Sequence, residues 1–173
     1  MPDFYGSVAA ADAYHAARAN TAWAGDEVAK QAALIRASAY IDGRYRKLLD
    51  SGVWQSLFPG VKTEGRGQAR EWPRTGAYDY EGHPIPADQV PIEVEQATYE
   101  AGLRELVSPG SLSPDFVSAS MVKREKVGPL ETEFAVSVGA DAASSVRPVI
   151  SIIDEMIAPV LVARYTLPAV FTV

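Results

Sequence analysis

The pattern of apolar and polar positions divides the chain into helical blocks separated by glycine- and proline-rich breaks. Ser7 is placed to cap a first helix over Val8–Ala19, an Ala-rich run, and Asn20 and Gly25 mark its end. Asp26 caps a second, longer helix, with Glu27 in its positive first turn. Along that helix Val28, Ala32, Ile35 and Ala39 form one stripe, and Leu34, Ile41, Tyr45 and Leu48 form another. Two adjacent stripes imply a broad face packed against more than one element. Gly43 interrupts the pattern. From Asp50 to Arg70 periodicity disappears, and only Trp54, Leu57 and Phe58 are large and apolar, so this stretch reads as a long loop. Pro91 opens a third helix to Val107, with Ile92, Tyr99, Leu103 and Leu106 inward and Glu93, Glu100 and Arg104 outward.

Ser108–Pro114 stops that helix, and the texture changes. Val122–Val127 and Leu130–Val138, on either side of Gly128-Pro129, alternate like the strands of a β-hairpin or arm. Gly139–Ser145 is a spacer. Pro148 starts a last helix with Val149, Ile152, Ile153, Met156 and Ile157 on one face, and Pro159 ends it. The tail Val160–Val173 carries a single charge, Arg164, and suits either the chain's own core or a partner. The expected architecture is mainly α. It is a small helical bundle over residues 1–118 with a flexible loop at about 50–70, followed by a hairpin arm, C-terminal helix and extended tail over 119–173.

Composition narrows the function classes. A chain of 173 residues with 47% hydrophobic and 22% charged residues has the make-up of one globular domain. It has no cysteine, which removes disulfides and thiolate chemistry, and two histidines, which leave little for a histidine metal centre. No apolar run reaches membrane-span length, and the N-terminus does not read as a signal peptide. The net charge of -6 disfavours general nucleic-acid binding, yet it is uneven. Arg44, Arg46, Lys47, Lys62, Arg66, Arg70 and Arg74 face only Asp50, Glu64 and Glu71 between residues 44 and 74, a local net charge of +4.

Candidate chemistry is sparse. Phosphate-loop, nucleophile-elbow, metalloprotease and EF-hand spacings are missing, so no enzyme, cofactor or metal is expected. His15, near Asp12, and His83, between Gly82 and Pro84, read as surface histidines. Glu93, Glu95, Glu100 and Glu105 read as a solvated helix face. Trp72-Pro73-Arg74 stands out: proline fixes the backbone, Trp offers a large apolar surface, and Arg offers a forked donor set. It fits either a plug in the core or a contact between subunits.

The run YGSVAAADAYHAARANTAW, the helix KQAALIRASAYIDGRY, the WPRTG element and IPADQVPIEVEQATYEAGLREL occur in this order. Together they resemble the head-tail adaptor (connector) proteins of tailed bacteriophages, some of whose relatives are labelled DnaT-like single-stranded-DNA-binding proteins. VKREKVGPLETEF and VISIIDEMIAPVL extend the resemblance over most of residues 5–161. It implies a structural virion protein at the head-tail interface, assembled in the host cytoplasm as a dodecameric homo-oligomer ring beneath the portal protein. Such a ring docks the next neck, stopper or tail protein and lets double-stranded DNA pass through its lumen without specific binding. On that reading Trp72, Pro73, Arg74, Tyr99 and Leu103 pack subunits. Lys123, Arg124, Lys126, Phe134, Ile153, Met156, Tyr165 and Phe171 reach across the ring or to the portal. The alternative is a single-stranded-DNA-binding module built on the basic segment with Trp54, Trp72, Tyr78 and Tyr80.

Overall fold

A computed structural model describes residues 3–114, 124–127, 130–133 and 149–162, with the backbone alone over 124–127 and 130–133. Ser7 accepts a hydrogen bond from Ala10 N–H to start α1 (Val8–Ala17), and Asp26 does the same from Ala29 N–H for α2 (Glu27–Arg44). These side chains satisfy amide donors that the first helical turn leaves free. Pro91 stands at the start of α3 (Ile92–Val107), and the short α4 (Ser151–Ile157) continues into a 3-10 turn over Ala158–Val160.

Between α2 and α3 the chain is not a loop. β1 (Arg46–Leu48) pairs antiparallel with β2 (Trp54–Ser56), with Lys47 opposite Gln55 and Leu48 opposite Trp54. β3 (Val61–Lys62) pairs with β4 (Arg74–Thr75), and β5 (Ala77–Tyr78) pairs with β6 (Pro84–Ile85). β7 (Arg124–Val127) and β8 (Leu130–Glu133) form a fourth antiparallel pair, with Val127 opposite Leu130. The fold is therefore mixed, with four α-helices and four two-stranded ladders among the described residues, which corrects the mainly-α expectation. The strands here are two to four residues long, too short for hydrophobic alternation to register in the sequence.

Their turns carry the signal instead. Asp50-Ser51-Gly52 links β1 to β2: Leu49 N–H donates to Val53 O at 2.9 Å and Gly52 N–H to Leu49 O at 2.8 Å. Gly52 takes φ +79°, the left-handed residue that a three-residue hairpin loop of this kind requires. Gly60 is needed for a second reason. At φ +68° a Cβ there would collide with the Thr75 carbonyl and sit 2.8 Å from Ala77 N, so only glycine lets β4 and β5 approach.

The core lies between α2, α3 and α4, where Ile41, Val94, Ala97, Ala101, Ile153 and Ile157 are fully buried. Trp72 and Phe58 bring the β-region onto this core, ring edge against ring face, with centroids 5.7 Å apart. A second cluster joins α1 to α3 through Ala11, Tyr14, Trp23, Leu34 and Tyr99. Several inward and outward assignments change. Val28, Ile35, Leu48 and Ile92 are exposed, whereas Glu100 and Glu105 are buried. Leu48 lies on the hairpin, past the end of α2.

Buried carboxylates follow the rule that such groups need partners. Glu105 accepts Gly110 N–H at 2.8 Å, Leu112 N–H at 3.0 Å and Arg36 Nε at 2.8 Å, tying the end of α3 to the following turn. Burial pushes the Glu105 carboxyl up, but those donors outweigh it and hold it below the usual range. His15 is buried too, not on the surface. Its Nε2 lies 3.1 Å from Tyr99 O and its Nδ1 3.1 Å from Asn20 Nδ2, with the ring 4.6 Å from Trp23. Burial lowers its pKa.

Candidate functional site

The Trp72-Pro73-Arg74 element is the internal clamp of the fold. The Trp72–Pro73 peptide is cis, and Trp72 is 1% exposed. Arg74 uses its whole fork inside the subunit: Nε donates to Pro59 O at 2.7 Å, Nη2 to Gly60 O at 2.7 Å, and Nη1 to Glu71 Oε2 at 2.8 Å. Glu71 also meets Arg46 at 2.8 Å and Lys62 at 3.5 Å. Burial pushes the Glu71 carboxyl up, but Lys62, Arg46 and Arg74 together hold it below the usual range. Beneath the clamp, Tyr5 donates to Asp42 and accepts Glu71 N–H at 3.0 Å and Trp72 N–H at 3.2 Å. Burial raises the Asp42 carboxyl and, with the Asp42 charge beside it, the Tyr5 phenol.

This geometry relocates the residues read as contact positions. Trp72, Pro73, Arg74, Tyr99 and Ile153 are buried within the subunit, where their side chains pack against its own core. Leu103 and Met156 are half-buried against the core clusters. Arg124 and Lys126 lie on β7. Lys123, Phe134, Tyr165 and Phe171 fall outside the described residues.

Ion pairing also consumes most of the basic segment. Arg44 makes a bidentate pair with Asp154 at 3.0 and 2.9 Å, and Arg70 lies 3.6 Å from Asp42. With Arg46, Lys62 and Arg74 gathered on Glu71, Lys47 and Arg66 are left without an ion pair among the described residues. With Asp42 and Asp154 counted, seven cations meet five acids, so the local net charge falls from +4 to +2.

What the fold does present outward is the β1–β2 hairpin. Leu48, Val53 and Trp54 are 52%, 58% and 66% exposed, and Lys47, opposite Gln55 on the other face of the ladder from Leu48 and Trp54, is exposed too. Leu48 and Trp54 face each other directly, and the flanking bonds of Leu49 with Val53 and of Leu57 with Tyr45 make theirs a non-hydrogen-bonded pair. Side chains of such pairs stand closest on one face of the ladder. At the hairpin's base a groove of ≈ 500 Å³ is bounded by Tyr45, Leu57, Tyr80, Leu161 and Val162 above the Arg44–Asp154 pair. Tyr80 is 68% exposed. Tyr80 N–H donates to Pro159 O at 2.8 Å, locking this loop to the end of α4. Sequence reasoning placed Trp54 in a loop. The Asp-Ser-Gly turn was the signal for its hairpin.

A family model described as "Putative DnaT-like ssDNA binding protein" matches residues 2–171. The chain belongs to this family. No curated protein and no solved structure matches it. The DnaT-like match corrects the head-tail adaptor identification: nothing in the comparisons brings in an adaptor family. The motifs behind that resemblance have an internal explanation. The small residues Ala33, Ala37, Ala97 and Ala101 let α2 and α3 approach closely, and the Trp-Pro-Arg turn is buried. Both are requirements of packing one subunit. Elsewhere on this DnaT-like chain, Asp79 and Glu81 lie 3.1 and 3.6 Å from His83 Nδ1 in an exposed turn. Backbone and ring contacts from His83 hold the Asp79 carboxyl low.

Proposed function

We propose that this DnaT-like protein is a non-enzymatic binding module that takes single-stranded DNA on its β1–β2 hairpin. The supporting observation is Trp54, a large aromatic face left two-thirds exposed on a short, turn-fixed ladder whose opposite face carries Lys47, a cation with no ion pair among the described residues. An aromatic face accepts any base by stacking, and an ammonium on the other face of the same narrow ladder is available to a phosphate of a strand that wraps its edge, which gives sequence-tolerant binding. Tyr80, which lines the groove at the hairpin's base, and Tyr78 are exposed as well. The family's description points the same way.

The test is titration of a labelled oligonucleotide at several salt concentrations. Trp54→Ala loses about 1–3 kcal/mol, or roughly 5- to 150-fold in affinity. Lys47→Gln lowers the magnitude of the log-affinity against log-salt slope by about 0.7. Absence of any shift for the intact protein at low salt refutes the reading.

A second reading is favoured by the ion pairing itself. With Arg44, Arg46, Lys62, Arg70 and Arg74 bound to internal acids and the net charge at -6, electrostatic attraction for phosphate is modest. Leu48 and Val53 then serve protein docking, as in an assembly subunit seated on another ring. Mass measurement of the protein with and without phage portal rings separates the two. A portal-dependent increase in mass supports docking, and unchanged mass with salt-sensitive oligonucleotide binding supports DNA.

A further inference from the structure

The run Asp79-Tyr80-Glu81-Gly82-His83 sets three metal-ligating side chains at alternate positions, in the turn between β5 and β6. Asp79, Glu81 and His83 each offer one ligand atom there, and the three atoms lie within 4.8 Å of one another. His83 Nδ1 is 3.1 Å from Asp79 Oδ2 and 3.6 Å from Glu81 Oε2. An ion of zinc size, about 2.0–2.2 Å from nitrogen and oxygen ligands, spaces neighbouring ligand atoms at about 3.0–3.5 Å. The turn therefore needs adjustment of side-chain torsions, not of its backbone.

The two oxygens of Asp79 have separate tasks. Oδ1 accepts Glu81 N–H at 2.9 Å and His83 N–H at 2.8 Å, which leaves Oδ2 as the oxygen beside the imidazole. Asp79 N–H donates to His83 O at 3.0 Å, and Tyr80 N–H ties the turn to Pro159 O at 2.8 Å. The backbone that carries the three side chains is thus held before a ligand arrives. No lysine or arginine pairs with Asp79 or Glu81 among the described residues, so their negative charges are met by the His83 ring alone. The His83 and Glu81 side chains are 70% and 57% exposed, which gives an ion access from solvent.

We propose that this turn is a binding site for a divalent transition-metal ion of the zinc class, held by Asp79 Oδ2, Glu81 Oε2 and His83 Nδ1. The mixed donor set decides the class. Imidazole nitrogen favours zinc, nickel and copper, whereas magnesium and calcium take oxygen ligands. On binding, the ion takes the place of a proton on Nδ1 between ring and carboxylate. Three protein ligands leave a further position open to water or an outside ligand.

The inference does not rest on the DNA reading. Zinc chloride is titrated by calorimetry into the full chain, free of any polyhistidine tag, and the ring signals of His83 and His15 are followed by NMR. The expected result is one zinc per chain, movement of the His83 ring with His15 unmoved, and magnesium at least about tenfold weaker. His83→Ala and Glu81→Gln each lose at least about tenfold in zinc affinity, since even removing a group that only orients a ligand costs about 10- to 100-fold. Asp79 is left intact because its Oδ1 holds the turn. Asp88→Asn, at an exposed carboxylate outside the turn, changes nothing. Unchanged urea midpoints without metal control for folding. No saturable zinc binding at about 0.1 mM, or equal binding in His83→Ala, overturns the proposal. Magnesium binding as tightly as zinc overturns it in favour of a bare carboxylate site. One zinc per two chains alongside a doubled mass overturns it in favour of a bridge between copies.

Discussion

Trp72→Ala destabilises the protein by about 3–5 kcal/mol, a large share of the roughly 5–15 kcal/mol that holds such a domain folded. Trp72 is 1% exposed, and its ring fills the junction between the β-region and the helical core, against Phe58. Removing the indole empties that junction, and Pro73 and the Arg74 fork hold the flanking backbone so that it cannot collapse into the space. Urea denaturation measures the loss. Trp72→Phe is the informative companion. The Trp72 Nε1 atom is buried without a partner among the described residues, so phenylalanine removes an unsatisfied donor along with part of the ring. It loses less than half as much as alanine. If Trp72→Ala moves stability by less than about 1 kcal/mol, the role of the indole as the joint of the fold is wrong.

Glu71→Leu has an effect of similar size, about 3–5 kcal/mol, because it strands Arg74 in the interior without its carboxylate. Arg74 is 5% exposed and keeps its carbonyl acceptors at Pro59 and Gly60, but none of them carries charge. The double variant Glu71→Leu with Arg74→Met is expected to recover much of the loss, since the uncompensated charge is then gone. Recovery would show that the clamp is a compensated pair and not an independent source of stability.

The pH dependence follows from the same groups. Glu71, Glu105 and Asp154 all titrate below their ordinary values, the first two through the donors that outweigh burial and Asp154 chiefly through Arg44. Each therefore contributes stability that is complete above the unfolded carboxylate range and is lost as pH falls through the lowered folded value. Asp42 works in the opposite sense: burial raises it, so its ionisation subtracts stability as pH rises from the unfolded value through the folded one. Denaturation midpoints should fall steeply below about pH 4 in the intact protein and less steeply in Glu71→Leu. An equally steep fall in the variant would remove Glu71 from the account.

Much of this protein is legible in its sequence because local rules act there. Ser7 and Asp26 state where α1 and α2 begin, Pro91 where α3 begins, and their side-chain and backbone chemistry suffices without knowing what packs on what. The described pairing of β7 with β8 falls within the two alternating runs on either side of Gly128-Pro129. The 45–90 region is different. Its ladders are too short to show a period: β1–β2 and β5–β6 close through local turns, while β3–β4 joins backbone that the Arg74 fork gathers at Pro59 and Gly60. Charge misled for the same reason. Counting Lys and Arg over residues 44–74 gives a basic patch, but the acids that cancel it include Asp42 and Asp154, one just before the segment and one far beyond it.

Sequence alone thus determined the helices and the lack of recognisable catalytic spacing, since caps and motifs are matters of neighbouring residues. Only the tertiary structure decided that Trp72, Arg74 and His15 are internal and that Trp54 is not. Burial is a property of long-range packing, and a tryptophan's chemistry is the same in a core as on a hairpin until the rest of the chain folds over one and leaves the other bare.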